Sequence, residues 1–143
     1  MMIYIGMDDT DNHESRGTGH LARTVAAHLS ANYPLLGVVR HQLFFDPRVP
    51  YTKNNSSAAI LLQGERQPDL GAVFQQVKEM MLADFQPGSD PGLCVAAVVP
   101  EAVSEFGRRV KIDLVTQDEA RQLATQEGIL LEGLGGTEGG VIG

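Results

Sequence analysis

A chain of 143 residues, 43% hydrophobic and 20% charged with a formal net charge of −7, suits one domain with one core, long enough to bury roughly two-thirds of its unfolded surface. The acidic balance argues against broad, non-specific binding to a polyanion. A single cysteine, Cys94, excludes an internal disulfide and fits a reducing cytoplasm.

Met2 to Met7 is a short apolar run that reads as a buried strand. Asp8 to Gly17 is a polar loop. The acids arrive too early for a signal peptide, which needs a basic start and a long apolar core. From Gly19, the series Leu21, Val25, Leu29 with Ala22 and Ala26 predicts an amphipathic helix ending near Tyr33 and stopped by Pro34. Leu35 to Phe45 and Ala58 to Gln63 read as a strand pair joined by the loop Asp46–Ser57, which carries two prolines and a polar tract.

Asp69 is placed to cap a second helix with Leu70, Val73, Phe74, Val77, Met80 and Met81 on its apolar face. Leu93 to Val99 is the longest apolar run. It is far short of the roughly 20 residues that span a bilayer and reads as a central strand buried on both faces. Pro100 suits the first turn of a third helix bearing Val103, Phe106, Val110 and Ile112. Thr116 and Glu119 have the spacing of a capping box. The helix they open runs to about Gln126, Gly128 ends it, and Ile129–Leu131 is a short last strand. Strands alternating with helices predict a single α/β layered domain over 1–143, with a mixed sheet and about four helices.

Three stretches carry chemistry. Asp8, Asp9 and Asp11 follow a strand and precede a helix, and crowded carboxylates repel unless protons, cations or donors compensate. Magnesium is a natural compensator: it takes one or two carboxylates, keeps several waters and bridges to phosphates. A calcium loop does not fit, because a run beginning at Asp9 puts His13 and Glu14 where the next ligand and the central glycine are required. A capped, solvated turn explains the same acids.

Gly17, Thr18, Gly19 and His20 lead into the first helix, where free amides and the helix dipole favour an anion. Neither common glycine-rich nucleotide fingerprint is present. Gly135, Gly136, Thr137, Gly139 and Gly140 form a second glycine loop, although surface turns also use glycine freely. Lys53 and Arg48 are the natural cations for phosphates, if their loop folds over the acids. His20 and His28 lie too far apart for a paired metal site, and no zinc, serine- or cysteine-hydrolase pattern occurs. Cys94, inside an apolar run, reads as an inert core thiol.

Together these stretches resemble the kinase-like domain at the start of archaeal tRNA-isoleucine agmatinylcytidine synthetase. IGMDDTDNHESRGTGHLA resembles that family's opening acidic block, DPRVPY with the following Lys-bearing tract and SAAI resembles its second block, and GLGGTEGGVIG its glycine-rich element. The resemblance implies a domain that binds ATP and magnesium and activates a cytidine by phosphoryl transfer. By matching position it implies Asp8, Asp9 and Asp11 as metal and phosphate-handling acids, Thr18 at the reactive threonine, and Lys53 with Asn54 or Asn55 in the second block. From the residues themselves, Thr10, Gly17, Gly19, His20, the 135–140 loop, and Arg48 in place of an absent arginine of the second block complete the expected nucleotide site.

The second block lacks the family's arginine, and the family's later tRNA-handling domains have no counterpart here. Relatives continue into a further helix beyond Gly143, so the chain reads as shortened at that end. The expectation is therefore a cytoplasmic, magnesium-dependent, ATP-binding phosphotransferase-like domain. Its acceptor is a small molecule or an RNA delivered with a partner protein, and no membrane is involved. The alternative is a non-catalytic nucleotide- or anion-binding module of a larger assembly.

Overall fold

The computed structural model describes residues 1–10, 17–44, 46, 48 and 56–143. Strand β1 (Met2–Asp8) leads to helix α1 (Thr18–Leu29), strands β2 (Leu35–Gln42) and β3 (Ser56–Gln63), helix α2 (Leu70–Ala83) and strand β4 (Gly92–Ala96). Helices α3 (Glu101–Ile112) and α4 (Gln117–Glu127), strand β5 (Leu130–Gly133) and a 3-10 turn at Gly139–Val141 complete the order.

The sheet runs β2-β3-β1-β4-β5. The α/β class, the layered sheet and the four helices are as expected, but all four strand pairings are antiparallel rather than mixed. The reason is topological. Each of the crossovers through α1 and α2 skips one strand, so the parallel-related pairs β1/β2 and β3/β4 are never neighbours. The first six elements thus form a split β-α-β arrangement of the ferredoxin type, extended at one edge by α3, α4 and β5.

Alternation along the strands separates two faces. Ile3, Ile5 and Met7 of β1, Ile60 and Leu62 of β3, and Leu93 and Val95 of β4 are at most 1% exposed. They form one cluster with Leu21, Val25 and Leu29 of α1 and Val73, Val77 and Met81 of α2. Of the α2 methionines, Met81 is in the core and Met80 packs half-buried against it. The opposite face carries Tyr4, Gly6, Ala59, Leu61, Cys94 and Ala96, all only partly buried.

Local signals set most boundaries. Asp69 caps α2 by accepting from the Ala72 amide at 3.0 Å. Thr116 and Glu119 form the full capping box of α4, and Gly128 ends that helix at φ 68°, a left-handed conformation that glycine adopts freely.

Three further expectations are corrected. Helix α1 stops at Leu29, before Tyr33, and turns occupy the residues up to Pro34. The apolar run from Leu93 leaves the sheet at Ala96, so Val98 and Val99 are 64% and 42% exposed. Ile112 is 74% exposed because Val110, not Ile112, faces inward where α3 meets Leu43 and Phe44. There the Val110 carbonyl accepts from the Phe44 amide at 3.0 Å.

Candidate functional site

Asp8 is the last residue of β1 and is only 9% exposed. Its cross-strand neighbours are Ser57 on β3 and Gly92 on β4, and Ser57 in turn pairs with His41 on β2. This row lies on the face away from α1 and α2. The chain then turns sharply. Asp9 adopts φ 55°, a left-handed conformation that a short polar side chain tolerates, and its amide donates to Asp8 Oδ1 at 2.7 Å.

The loop returns to α1 through two buried threonines. Thr10 donates to Thr18 Oγ1 from its amide at 3.3 Å and from its hydroxyl at 3.0 Å. Thr18 therefore ties the acidic loop to the first turn of α1. Gly17, at the N-cap, has no side chain to bond the first amides of that helix. The His20 and Leu21 amides donate to the Gly17 carbonyl, and the start of the helix carries the partial positive charge of its dipole.

The second glycine loop closes on the same place from the other end of the chain. The Gly140 amide donates to the Asp90 carbonyl at 2.7 Å, and the Asp90 amide donates to the Asp9 carbonyl at 3.2 Å. The Thr137 amide donates to Asp90 Oδ1 at 2.7 Å. A Cβ on Gly140 would stand 2.6 Å from the Asp8 carbonyl oxygen and 2.7 Å from that of Asp90, so only glycine permits this approach. Gly143 likewise lies against the Asp8 carboxylate, and Gly135 lies under the Phe85 ring. Helix α4 steadies the loop, as Gln117 Nε2 donates to the Thr137 carbonyl at 2.9 Å and Arg121 pairs with Glu138 at 3.0 Å.

Of the residues singled out from the sequence, Asp8 thus meets Gly140, Asp9 is joined through Asp90 to Thr137 and Gly140, and Thr10 is bonded to Thr18 beside Gly17 and Gly19 at the start of α1. Gly135, Gly136 (φ 57°) and Gly139 lie in the same loop as Thr137 and Gly140. His20 is in the first turn of α1 and its carbonyl accepts from the Thr24 hydroxyl at 3.1 Å. Arg48 is differently engaged. Its guanidinium grips Asp46 through both carboxylate oxygens at 2.7 and 2.8 Å, and these bonds pull the Asp46 carboxyl down to about 2. Asp11, Lys53, Asn54 and Asn55 lie outside the described residues.

Among the described residues no three His, Cys, Asp or Glu side chains cluster closely enough to hold a metal. Asp8 and Asp9 nevertheless suit a hydrated magnesium ion, which needs only one or two carboxylates and completes its shell with water and phosphate oxygens. The glycine loop packs close beside them: a side chain on Gly140 would strike the Asp8 carbonyl, and one on Gly143 the Asp8 carboxylate.

Sequence reasoning missed Asp90, Ser57 and His41. Asp90 stands between Ser89 and Pro91 and reads as turn punctuation, while Ser57 closes a polar tract. Only strand register places Ser57 beside Asp8, and His41 beside Ser57. Burial and the nearby Lys111 lower the His41 imidazole pKa. Cys94 faces Gly6 across the strands, and burial raises its thiol pKa. An inert thiol is the consequence.

No protein-family model matches the sequence, and no curated protein matches it. Solved structures do. A complex of TiaS with an isoleucine tRNA and ATP superposes with a TM-score of 0.81 at 20% identity, over 100% of this chain and 34% of that one. A tRNA fluorescent labeling enzyme gives 0.81 at 21% identity, again over 34% of its length. Apo TiaS, a tRNA agmatidine synthetase, gives 0.80 at 20% identity over 34%. The chain has the fold of about a third of TiaS. At this identity the likeness to TiaS establishes architecture, and it agrees with the family that the three sequence blocks resemble. Among the described residues no helix is long and apolar enough to cross a membrane.

Proposed function

We propose that this chain is a magnesium-dependent, ATP-binding phosphotransferase-like domain, related to the cytidine-activating domain of a tRNA-modifying synthetase. One observation carries the reading: the acidic loop after β1, the start of α1 and the Gly135–Gly140 loop lie at the same end of the sheet. Backbone amides from a helix start and a glycine turn, beside carboxylates, are what a metal-bound polyphosphate requires. That TiaS has been captured with ATP and an isoleucine tRNA supports the same assignment.

In this reading Asp8, Asp9 and Asp11 hold the magnesium ion, directly or through water. The amides at Gly17–Gly19, and those of the Gly135–Gly140 loop that do not already donate to Asp90 or Gly135, cradle phosphates. Lys53, with Asn54 and Asn55, supplies the cation and the polar groups that a transferred phosphoryl group calls for. The Thr18 hydroxyl, already accepting from Thr10, orients the acidic loop and is a phosphate ligand or phosphoryl acceptor. The metal, when bound, neutralises phosphate oxygens and so lowers the cost of charge moving between them. The acceptor is a small molecule or an RNA presented with a partner protein.

A second reading, a nucleotide-binding module without turnover, is favoured by the engagement of Arg48 with Asp46. That contact leaves phosphate neutralisation to Lys53 alone among the two cations first singled out.

Isothermal titration with ATP, with and without magnesium, tests the site on wild type and Asp8→Asn. Magnesium-dependent binding that falls about tenfold or more in the variant supports the site. No heat with any nucleotide sinks both readings. Phosphate release from labelled ATP, lost in Asp8→Asn, separates the transferase from the module.

A further inference from the structure

We infer that Asp90 is a positioning residue, a latch that joins the acidic loop to the glycine loop and sets the spacing of the nucleotide site; this rests on the nucleotide reading above. Three of its groups are committed at once. The amide donates to Asp9, the carbonyl accepts from Gly140 at 2.7 Å, and the carboxylate accepts from Thr137 at 2.7 Å. A single residue therefore holds both walls of the site.

The latch stands on firm ground. Ser89 beside it is 1% exposed, and its hydroxyl donates to the Gln86 carbonyl at 2.6 Å. On the other side the Pro91 carbonyl accepts from the Leu134 amide at 2.8 Å, and the next residue, Gly92, opens β4. What the latch grips is by contrast conformationally special. Asp9 at φ 55° and Gly136 at φ 57° both hold left-handed backbone. A side chain on Gly136 would strike the Asp90 carboxylate. Turns of this kind relax when a contact that defines them is lost, so removing the carboxylate frees Thr137 and lets the glycine loop drift from Asp9.

The test compares Asp90→Ala with Asp90→Asn, which keeps an acceptor oxygen. In Asp90→Ala the Thr137 amide exchanges with solvent at least about tenfold faster, while Ile5 and Ile60 keep their protection. Magnesium-ATP affinity falls about tenfold. Asp90→Asn restores both to within about threefold, a rescue that loss of bulk structure would not show. Thr137→Pro, which removes the donor and leaves Asp90 intact, gives the same affinity loss and covers the case in which Asp90→Ala does not fold. Unchanged Thr137 exchange, or ATP binding in Asp90→Ala as tight as wild type or tighter, overturns the latch alone. Wild-type protein that binds no ATP overturns the nucleotide reading and the site-setting role with it.

Discussion

The two faces of one sheet are built to different rules. Toward α1 and α2, strands β1, β3 and β4 present Ile3, Ile5, Met7, Ile60, Leu62, Leu93 and Val95, bulky and sealed from solvent. The alternate residues of the same strands, among them Gly6, Ala59, Cys94 and Ala96, are mostly small and stay partly exposed. At the end of β1 they give way to the polar row His41, Ser57 and Asp8. One parity of the strand pattern supplies cohesion and the other supplies the site. A one-residue slip of register would exchange them, so the core is what holds Asp8 in place.

The sharpest way to break this contrast is Ile60→Ala. Truncating a fully buried aliphatic side chain costs about 2–5 kcal/mol, seen as a lower midpoint in urea. Leu61→Ala, one residue along and on the other face, costs about 1–2 kcal/mol, because that side chain already meets solvent. Equal losses would show that the second face is also core.

Next comes Gly140→Val. Its side chain collides with the backbone of Gly92, Asp8 and Asp90, an overpacking that costs about 1–3 kcal/mol. It abolishes magnesium-ATP binding, while hydrogen exchange at Ile3 and Ile5 stays slow. A smaller effect follows from Thr116→Ala. Loss of the capping box costs about 1 kcal/mol and loosens the Gln117 bond to the glycine loop, read as faster exchange at Thr137.

The smallest effect is electrostatic. The folded protein holds His41 below its ordinary value of 6.5, whereas the unfolded chain takes up the proton near that value. The unfolded state thus binds more protons, and stability declines as the pH falls through 6.5 toward the folded pKa. His41→Gln flattens that dependence. In Lys111→Ala the imidazole titrates at higher pH by NMR, since Lys111 is one of the two causes of the shift.

Much of the fold was legible in short stretches, because it obeys local physics. Asp69 before Leu70, Thr116 three residues before Glu119, and Gly128 after α4 each satisfy or release backbone groups within one turn of themselves. The apolar periodicities of α1 and α2 name the residues that reach the core. Local rules failed where apolar residues lack a neighbour to bury them. Val98 and Val99 continue the pattern of β4, but no strand pairing extends past Ala96, and Ile112 sits on a helix whose inward position is taken by Val110.

The candidate site divides in the same way. Asp8, Asp9, Thr18 and the glycines stand out by composition, since acids crowded between a strand and a helix and glycines crowded in a loop are costly without a purpose. Asp90, Ser57 and His41 do not, because an aspartate before a proline and a serine in a polar tract resemble any turn. The sequence by itself determined the elements, their caps and which side of each strand is apolar, since these follow from contacts a few residues apart. Only the tertiary structure decided that β1 lies between β3 and β4 and that Asp90 joins the acidic loop to the glycine loop. Those contacts link residues far apart in the chain, and strand order and register, which no local pattern encodes, bring them together.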